Sequence, residues 1–324
     1  KTPIEFNRSK ETDQILLLGS WCLRDAKHCL DNVRRHNLVP YHWEDRDKFK
    51  ADYIYLTSLY EKTLSAFTPI LNDLHKLNKD REYWRVVIGP WLRFFIDAVF
   101  DRYEIIRTAK QIAGLTSCLI QPYNLEDWHT KNFEDFYADL ISDEWNEIVF
   151  SECIKFQGLP FQKCAGLEIK PQRGHFTPLG VGLNLKKFIK KTMSGYSKFV
   201  TNSKRKVVFV GSYMPKVNLI KLHLKLRQLP YSPLGIIRLP SCKKNNSLRN
   251  NLISSSKDTN FEEFLSYLLP KMMPIIYLET YDTVRKDILR FLPHNPAIIF
   301  TSISYQADDI IKIWMAEKKE IGAR

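Results

Sequence analysis

The sequence predicts an α/β protein in which Rossmann-like parallel sheet layers carry a large helical insertion. Two observations lead there: short apolar runs closed by a small residue recur along the chain, and segments with helical spacing separate them. Ile15-Leu16-Leu17-Leu18-Gly19-Ser20 and Val207-Val208-Phe209-Val210-Gly211-Ser212 share one pattern, an apolar strand ending in Gly-Ser. In open α/β sheets that strand-to-loop turn is where ligands bind.

The elements follow in order. After the strand at 14–19, apolar residues at Ala51, Ile54, Tyr55, Leu59, Leu64, Phe67, Ile70, Leu71 and Leu74 recur at helical spacing, which predicts a long helix with Pro69 as a kink or break. Residues 81–113 read as a second helix, interrupted at Gly89-Pro90. A strand at 116–120 and one or two helices at 133–150 follow, and the Gly- and Pro-containing stretch 158–182 reads as loop. Beyond the strand at 206–212, the pattern gives a helix at 216–228 and a strand at 234–239. The Lys-, Asn- and Ser-rich tract 241–260 reads as a mobile loop. Helices at 261–269 and about 276–290, a strand at 297–302 and a helix at 308–319 complete the reading.

This predicts an N-terminal α/β region at 1–160 with its helical insertion at about 47–113, a basic linker at 161–200, and a second α/β region at 201–324. The final helix, followed by Ile321-Gly322-Ala323-Arg324, should feed another strand, and Lys1 is not a start methionine. The chain therefore reads as the N-terminal part of a longer protein.

Composition narrows the function classes. With 44% apolar and 26% charged residues the chain has the make-up of a soluble globular protein, and no stretch approaches the roughly 20 apolar residues that cross a bilayer. The first residues carry no hydrophobic run before 15–18, which argues against a cleavable signal. Six cysteines lack any Cys-x-x-Cys spacing, so free thiols in the cytoplasm are expected rather than a zinc ribbon or a disulfide framework. The net charge of +13 is concentrated: between Glu168 and Asp258 there are 19 Lys and Arg and no acidic residue. Elsewhere 30 basic residues face 36 acidic ones, a net charge of −6. The basic segment 170–257 suits an anionic membrane surface or a nucleotide-activated donor, with Lys186, Lys187, Lys190 and Lys191 as an amphipathic basic patch. No basic-aromatic signature favours nucleic acid.

The densest chemistry lies between Val39 and Tyr103. In Pro40-Tyr41-His42-Trp43-Glu44-Asp45-Arg46, His42 could act as a general base or bind phosphate, Asp45 could orient it, and Arg46 could grip an anion; equally, Asp45 and Arg46 could lock helices together through ion pairs. In Tyr83-Trp84-Arg85 and Gly89-Pro90-Trp91, Arg85 could reach a cleft lined by Trp91 and Tyr103, or the aromatics could be core that Arg85 caps. Glu61 is either a catalytic carboxylate or a surface charge. Gly19-Ser20 and Gly211-Ser212 are weak phosphate cradles without a full Gly-x-Gly-x-x-Gly. No histidine spacing suggests a metal site.

Taken in order, Leu18-Gly19-Ser20-Trp21-Cys22, the Pro40–Arg46 block, Tyr53-Ile54-Tyr55-Leu56, Leu59-Tyr60-Glu61, Leu71-Asn72 with His75, Tyr83-Trp84-Arg85, Gly89-Pro90-Trp91 and Asp101-Arg102 resemble a transferase family encoded in bacterial O-antigen and surface-polysaccharide loci. The likeness spans about the first hundred residues and thins beyond Gln121. Ser20 stands where the family's Gly-Glu-Trp-Cys version has an acid, and a Gln-His-Gly-Gly-like motif is expected past Arg324. The resemblance implies a two-lobed, GT-B-like glycosyltransferase fold and transfer from a nucleotide-sugar donor, with no cofactor, to a glycan or lipid-linked acceptor in the cytoplasm, peripheral to the inner membrane. The expected catalytic residues are His42, Asp45 and Glu61. Gly19, Trp21, Tyr41, Arg46, Arg85, Trp91, Arg102, Gly211 and Ser212 are expected to bind substrate or phosphate. The rival reading is a non-catalytic scaffold of the assembly machinery.

Overall fold

The computed structural model describes residues 15–23, 36–112, 114–166, 168–171, 205–228, 237–250, 252 and 258–323. The basic patch at 186–193 and the first half of the strand expected at 234–239 lie outside these residues; its second half, 237–239, is described and is not strand. The chain is mixed α/β and mostly helical. In place of broad sheet layers, the described residues form three separate two-stranded parallel pairs: β1 (Ile15–Leu17) with β2 (His36–Leu38), β3 (Cys118–Ile120) with β4 (Phe161–Lys163), and β5 (Arg205–Val210) with β6 (Pro296–Thr301). Strand β4 falls where loop was expected, because Cys118 and Cys164 donate amides to Pro160 and Ile120 across the pair.

Two thirty-residue helices, α1 (Arg46–His75) and α2 (Arg81–Lys110), dominate the fold. Asp45 caps α1, accepting from the amides of Asp47 and Lys48, and Asp80 caps α2 through the amide of Tyr83. Asn72 fastens the turn between them by bonding both the amide and the carbonyl of Lys79 and the indole of Trp84.

The breaks expected at Pro69 and Gly89-Pro90 do not occur. Proline removes one amide bond from a helix, but Trp84, Val87 and Ile88 before Pro90, and Trp91, Leu92 and Phe95 after it, are all buried, and the helix runs through without interruption. Each such side chain contributes about 1.5–3 kcal/mol. Gly89 has its own reason: a Cβ there would meet the Tyr60 hydroxyl at 2.6 Å, so glycine lets α1 approach.

Helix α2 packs against α1, α4 (Asp143–Phe156), α7 (Asn260–Met272) and α10 (Asp309–Glu320), with α3 (Phe133–Leu140) alongside. One hydrophobic core thus runs from Val39 to Ala316, across the expected boundary at 160–201. The remaining helices are α5 (Lys216–Lys225), α6 (Asn246–Asn250), α8 (Tyr281–Phe291) and α9 (Ser304–Ala307). Among the described residues no helix is long and apolar enough to cross a membrane.

Within the tract 241–260, expected as a mobile loop, Asn246–Asn250 form helix α6, while 251 and 253–257 lie outside the described residues. Arg249 is 2% exposed, pairs with both oxygens of Glu279 at 2.6 and 2.8 Å, and donates to the carbonyls of Pro270 and Met273. Arg249→Ala leaves that carboxylate with only the Asn245 amide and strips two carbonyls of the guanidinium; urea unfolding should show a loss of about 3–5 kcal/mol.

At the start of α2, Glu317 accepts from Tyr83 at 2.6 Å and from Arg285 at 2.7 and 3.2 Å. Burial raises its pKa, yet the bonds from Arg285 and Tyr83 prevail and hold it below the ordinary carboxylate value. A depressed folded pKa stabilises above the unfolded value of about 4.3 and stops doing so as pH falls through the folded one. The difference in stability between the unaltered chain and Glu317→Gln should therefore be greatest near neutrality and shrink below about pH 4, measured by denaturant titration across pH. Asp308, pushed up to about 6 by burial, acts in the opposite sense but cancels in that difference.

Candidate functional site

The parallel pairing of β1 with β2 sends both following loops out at the same carboxyl edge, and Val39 extends the pairing by donating to the Leu17 carbonyl at 2.8 Å. After β1 the chain turns at Gly19 into a 3-10 helix, Ser20–Leu23. Trp21 lies back over buried Gly19, where any Cβ would intrude on the indole ring. Glycine is thus required for the ring to lie there, 41% exposed. After β2 the block Pro40 to Asp45 turns into the N-cap of α1.

A cavity of about 570 Å³ opens between these loops and helices α2 and α4. That volume suits a small-molecule ligand. It is walled by Gly19, Trp21, Tyr41, Glu44, Asp101 and Arg102, with Asp143, Asn146 and Phe150 from α4. Among the described residues its charged lining comprises three carboxylates, Glu44, Asp101 and Asp143, and one guanidinium, Arg102.

Asp101 is the hub of the wall. It is buried, with one oxygen 3.2 Å from His42 Nε2 and the other accepting from Arg102 at 2.8 Å. Arg102 in turn donates to Asn146 at 2.9 Å, so three elements hold one carboxylate. Burial, and then the neighbouring Asp101, push the Tyr41 phenol well above its ordinary pKa, so it remains a neutral hydrogen-bonding group at the cavity mouth.

Behind this wall lies a second polar layer. Lys48 Nζ sits 2.5 Å from Asp52 and 2.9 Å from Glu104, Arg107 bonds Glu104 at 2.6 Å, and the Trp43 indole donates to Asp52 at 3.0 Å. The Trp43 ring stacks on Phe100 with centroids 6.3 Å apart. The Pro40 to Arg46 block is thereby pinned to α1 and α2 at once.

The structure gathers some of the expected site residues and scatters others. Gly19, Trp21, Tyr41 and Arg102 line the cavity, and His42 stands directly behind Asp101. Asp45 does not orient His42; it is spent as the N-cap of α1, and Asp101 holds the ring instead. Arg46, the first residue of α1, is exposed and outside the cavity lining. Glu61 and Arg85 form a two-pronged pair at 2.6 and 2.8 Å, and that bond holds the Glu61 carboxyl below its usual range. The pair lies about 24 Å along α2 from Asp101, sixteen residues at 1.5 Å each. Trp91 is fully buried against Phe95 and Tyr277, where no ligand reaches it. Gly211 and Ser212 end β5 in a different strand pair; Gly211 has φ +54° and a Cβ there would strike Ser304.

The cavity also includes residues absent from the expected set. Asp101 stood beside Arg102 in a dense block, so its signal was present. Asp143 and Asn146 gave none, since an acidic first turn is how an ordinary helix begins.

Comparison with family models places the chain in a class of transferases, with a match over residues 2–324. The family is the LIC12162 family transferase, and the chain belongs to it. No curated protein and no solved structure matches the chain.

If Asp45 is a cap and nothing more, Asp45→Ala should lower stability by about 1 kcal/mol and Asp45→Ser should restore most of it. Urea midpoints of the three proteins decide this; failure of serine to recover the loss gives Asp45 another role.

Proposed function

We propose that the chain transfers a glycosyl group from a nucleotide-activated sugar to a lipid-linked or growing glycan in surface-polysaccharide assembly, and that the cavity beside β1 and β2 receives the glycan acceptor. The observation that carries this reading is the charge of the lining, three carboxylates against one guanidinium. A nucleoside diphosphate brings at least two negative charges and would meet net repulsion there. A neutral polyol meets what it needs: carboxylate and amide groups for its hydroxyls, and the exposed face of Trp21 for its C–H surface.

In this reading Asp101 accepts the proton of the attacking acceptor hydroxyl, while His42 and Arg102 fix its two oxygens so that no reorganisation is required during the step. The donor phosphates bind outside this cavity, and the basic stretch 170–257 is the segment with charge to meet them or an anionic lipid surface at the cytoplasmic side of the membrane. Family membership supports group transfer, and the ordered blocks described above support the polysaccharide setting.

Titrating neutral oligosaccharides and UDP separately into the protein tests the assignment. Oligosaccharide binding should weaken about tenfold in Trp21→Ala, about 1.4 kcal/mol, and UDP should not displace the sugar. Asp101→Asn should keep oligosaccharide binding and a cooperative fold, with a lowered melting temperature, while losing support of glycan assembly in cells. Displacement by UDP would make the cavity a donor site. Collapse of folding in Asp101→Asn, with Trp21→Ala silent, would favour the scaffold reading.

A further inference from the structure

We propose that His42, Asp52 and Glu104, in the layer behind the cavity, form a binding site for a divalent transition-metal ion such as zinc or manganese. This inference stands apart from the glycosyl-transfer reading and departs from the sequence-based expectation of no metal site. One ligand atom from each residue lies within 4.8 Å of the other two. They come from three places in the chain, the loop after β2, the second turn of α1 and the far end of α2, so the fold and not local sequence brings them together.

The decisive atom is His42 Nδ1. The Nε2 side of the ring faces the Asp101 carboxylate at 3.2 Å, which only accepts hydrogen bonds, so Nε2 is the donor there and, in the neutral ring that a metal binds, Nδ1 is the ligand atom. The His42 side chain is 2% exposed, and among the described residues Nδ1 has no hydrogen-bond partner. What it faces is another acceptor, Asp52 Oδ2, at 4.0 Å. A buried lone pair set opposite a carboxylate oxygen is costly unless a cation lies between. Metal–ligand bonds of about 2.0–2.2 Å bring two such atoms to roughly 3.4 Å in a tetrahedral site, so His42 and Asp52 must close by about half an ångström and no pair by more than about 1.4 Å.

The surroundings have the form that metal sites take. Asp101 bonding the far nitrogen of a ligand histidine fixes its tautomer and raises its basicity, and the two carboxylates are themselves bonded, Asp52 by Trp43 and Glu104 by Arg107. One imidazole and two carboxylates, without thiolate, suit zinc or manganese better than magnesium, which favours oxygen ligands and retained waters.

Lys48 bears directly on this proposal. Its ammonium lies against both Asp52 and Glu104, the position a metal would take, and its side chain is 26% exposed, so the flexible stem can swing toward water. Lys48 is then a built-in competitor: ammonium neutralises the carboxylates without metal, and an ion must displace it.

Calorimetric titration of zinc and of manganese into the chelator-washed full chain tests the site without any activity assay. In Lys48→Met, one-to-one binding should be at least tenfold tighter than in the unaltered chain, and adding either His42→Gln or Glu104→Gln should lower it at least tenfold. Circular dichroism identifies which of the two double variants is folded and can be read. If Lys48→Met binds neither ion more tightly than the unaltered chain, or if the folded double variant binds as Lys48→Met does, the proposal is overturned.

Discussion

Burial of helix α2 is the constraint from which the rest follows. Most of its residues are out of contact with water, yet it carries Asp101 and Glu104 on one face of its last third. Unpaired carboxylates there would be prohibitively costly, so cations must lie against them. Arg102 and Arg107 do so from α2 itself and Lys48 from α1, while His42, in the loop before α1, bonds Asp101. Such pairs contribute little net stability compared with apolar packing, but breaking one is expensive, so they specify where the loop from Pro40 to Asp45 must lie.

The first turns of α2 meet the same constraint differently. Tyr83 places its hydroxyl 2.5 Å from Tyr281 and bonds Glu317, while His75 is stacked on Tyr281 and bonded to the Tyr277 carbonyl. That polar cluster is closed over by α8 and α10, whereas the one around Asp101 opens to the cavity. Two networks of similar composition therefore differ in what they can do, and the difference is access.

How much of this was legible in the sequence divides along the same line. The long helices and the strand cores were readable from periodicity, because α1 and α2 obey helical spacing over their full length; the caps were not, since Asp45 read as a partner for His42 or for an ion pair. Pro69 and Pro90 misled, since local propensity yields to the burial of residues on both sides. Sheet extent was not readable: apolar runs announce strands but not how many partners they find. At the site, Tyr41 and Arg102 were legible in dense polar and aromatic blocks, Gly19 as the close of an apolar strand, and Trp21 only through the family resemblance. Blocks could not tell which charges face the cavity. Arg85 and Glu61 are as conspicuous as Arg102 and Asp101, and only the fold shows that the first two satisfy each other 24 Å away by helical rise.

A structural network and a functional site are usually weighed as alternatives, and around Asp101 they are one arrangement. The bonds that make its burial tolerable also fix each oxygen in direction, as a preorganised group requires. His42 and Arg102 supply stability to the loop and geometry to the cavity wall with the same contacts. Access then decides the chemistry: Glu317, paired just as completely, lies outside the cavity lining, while Asp101 faces a space of ligand size.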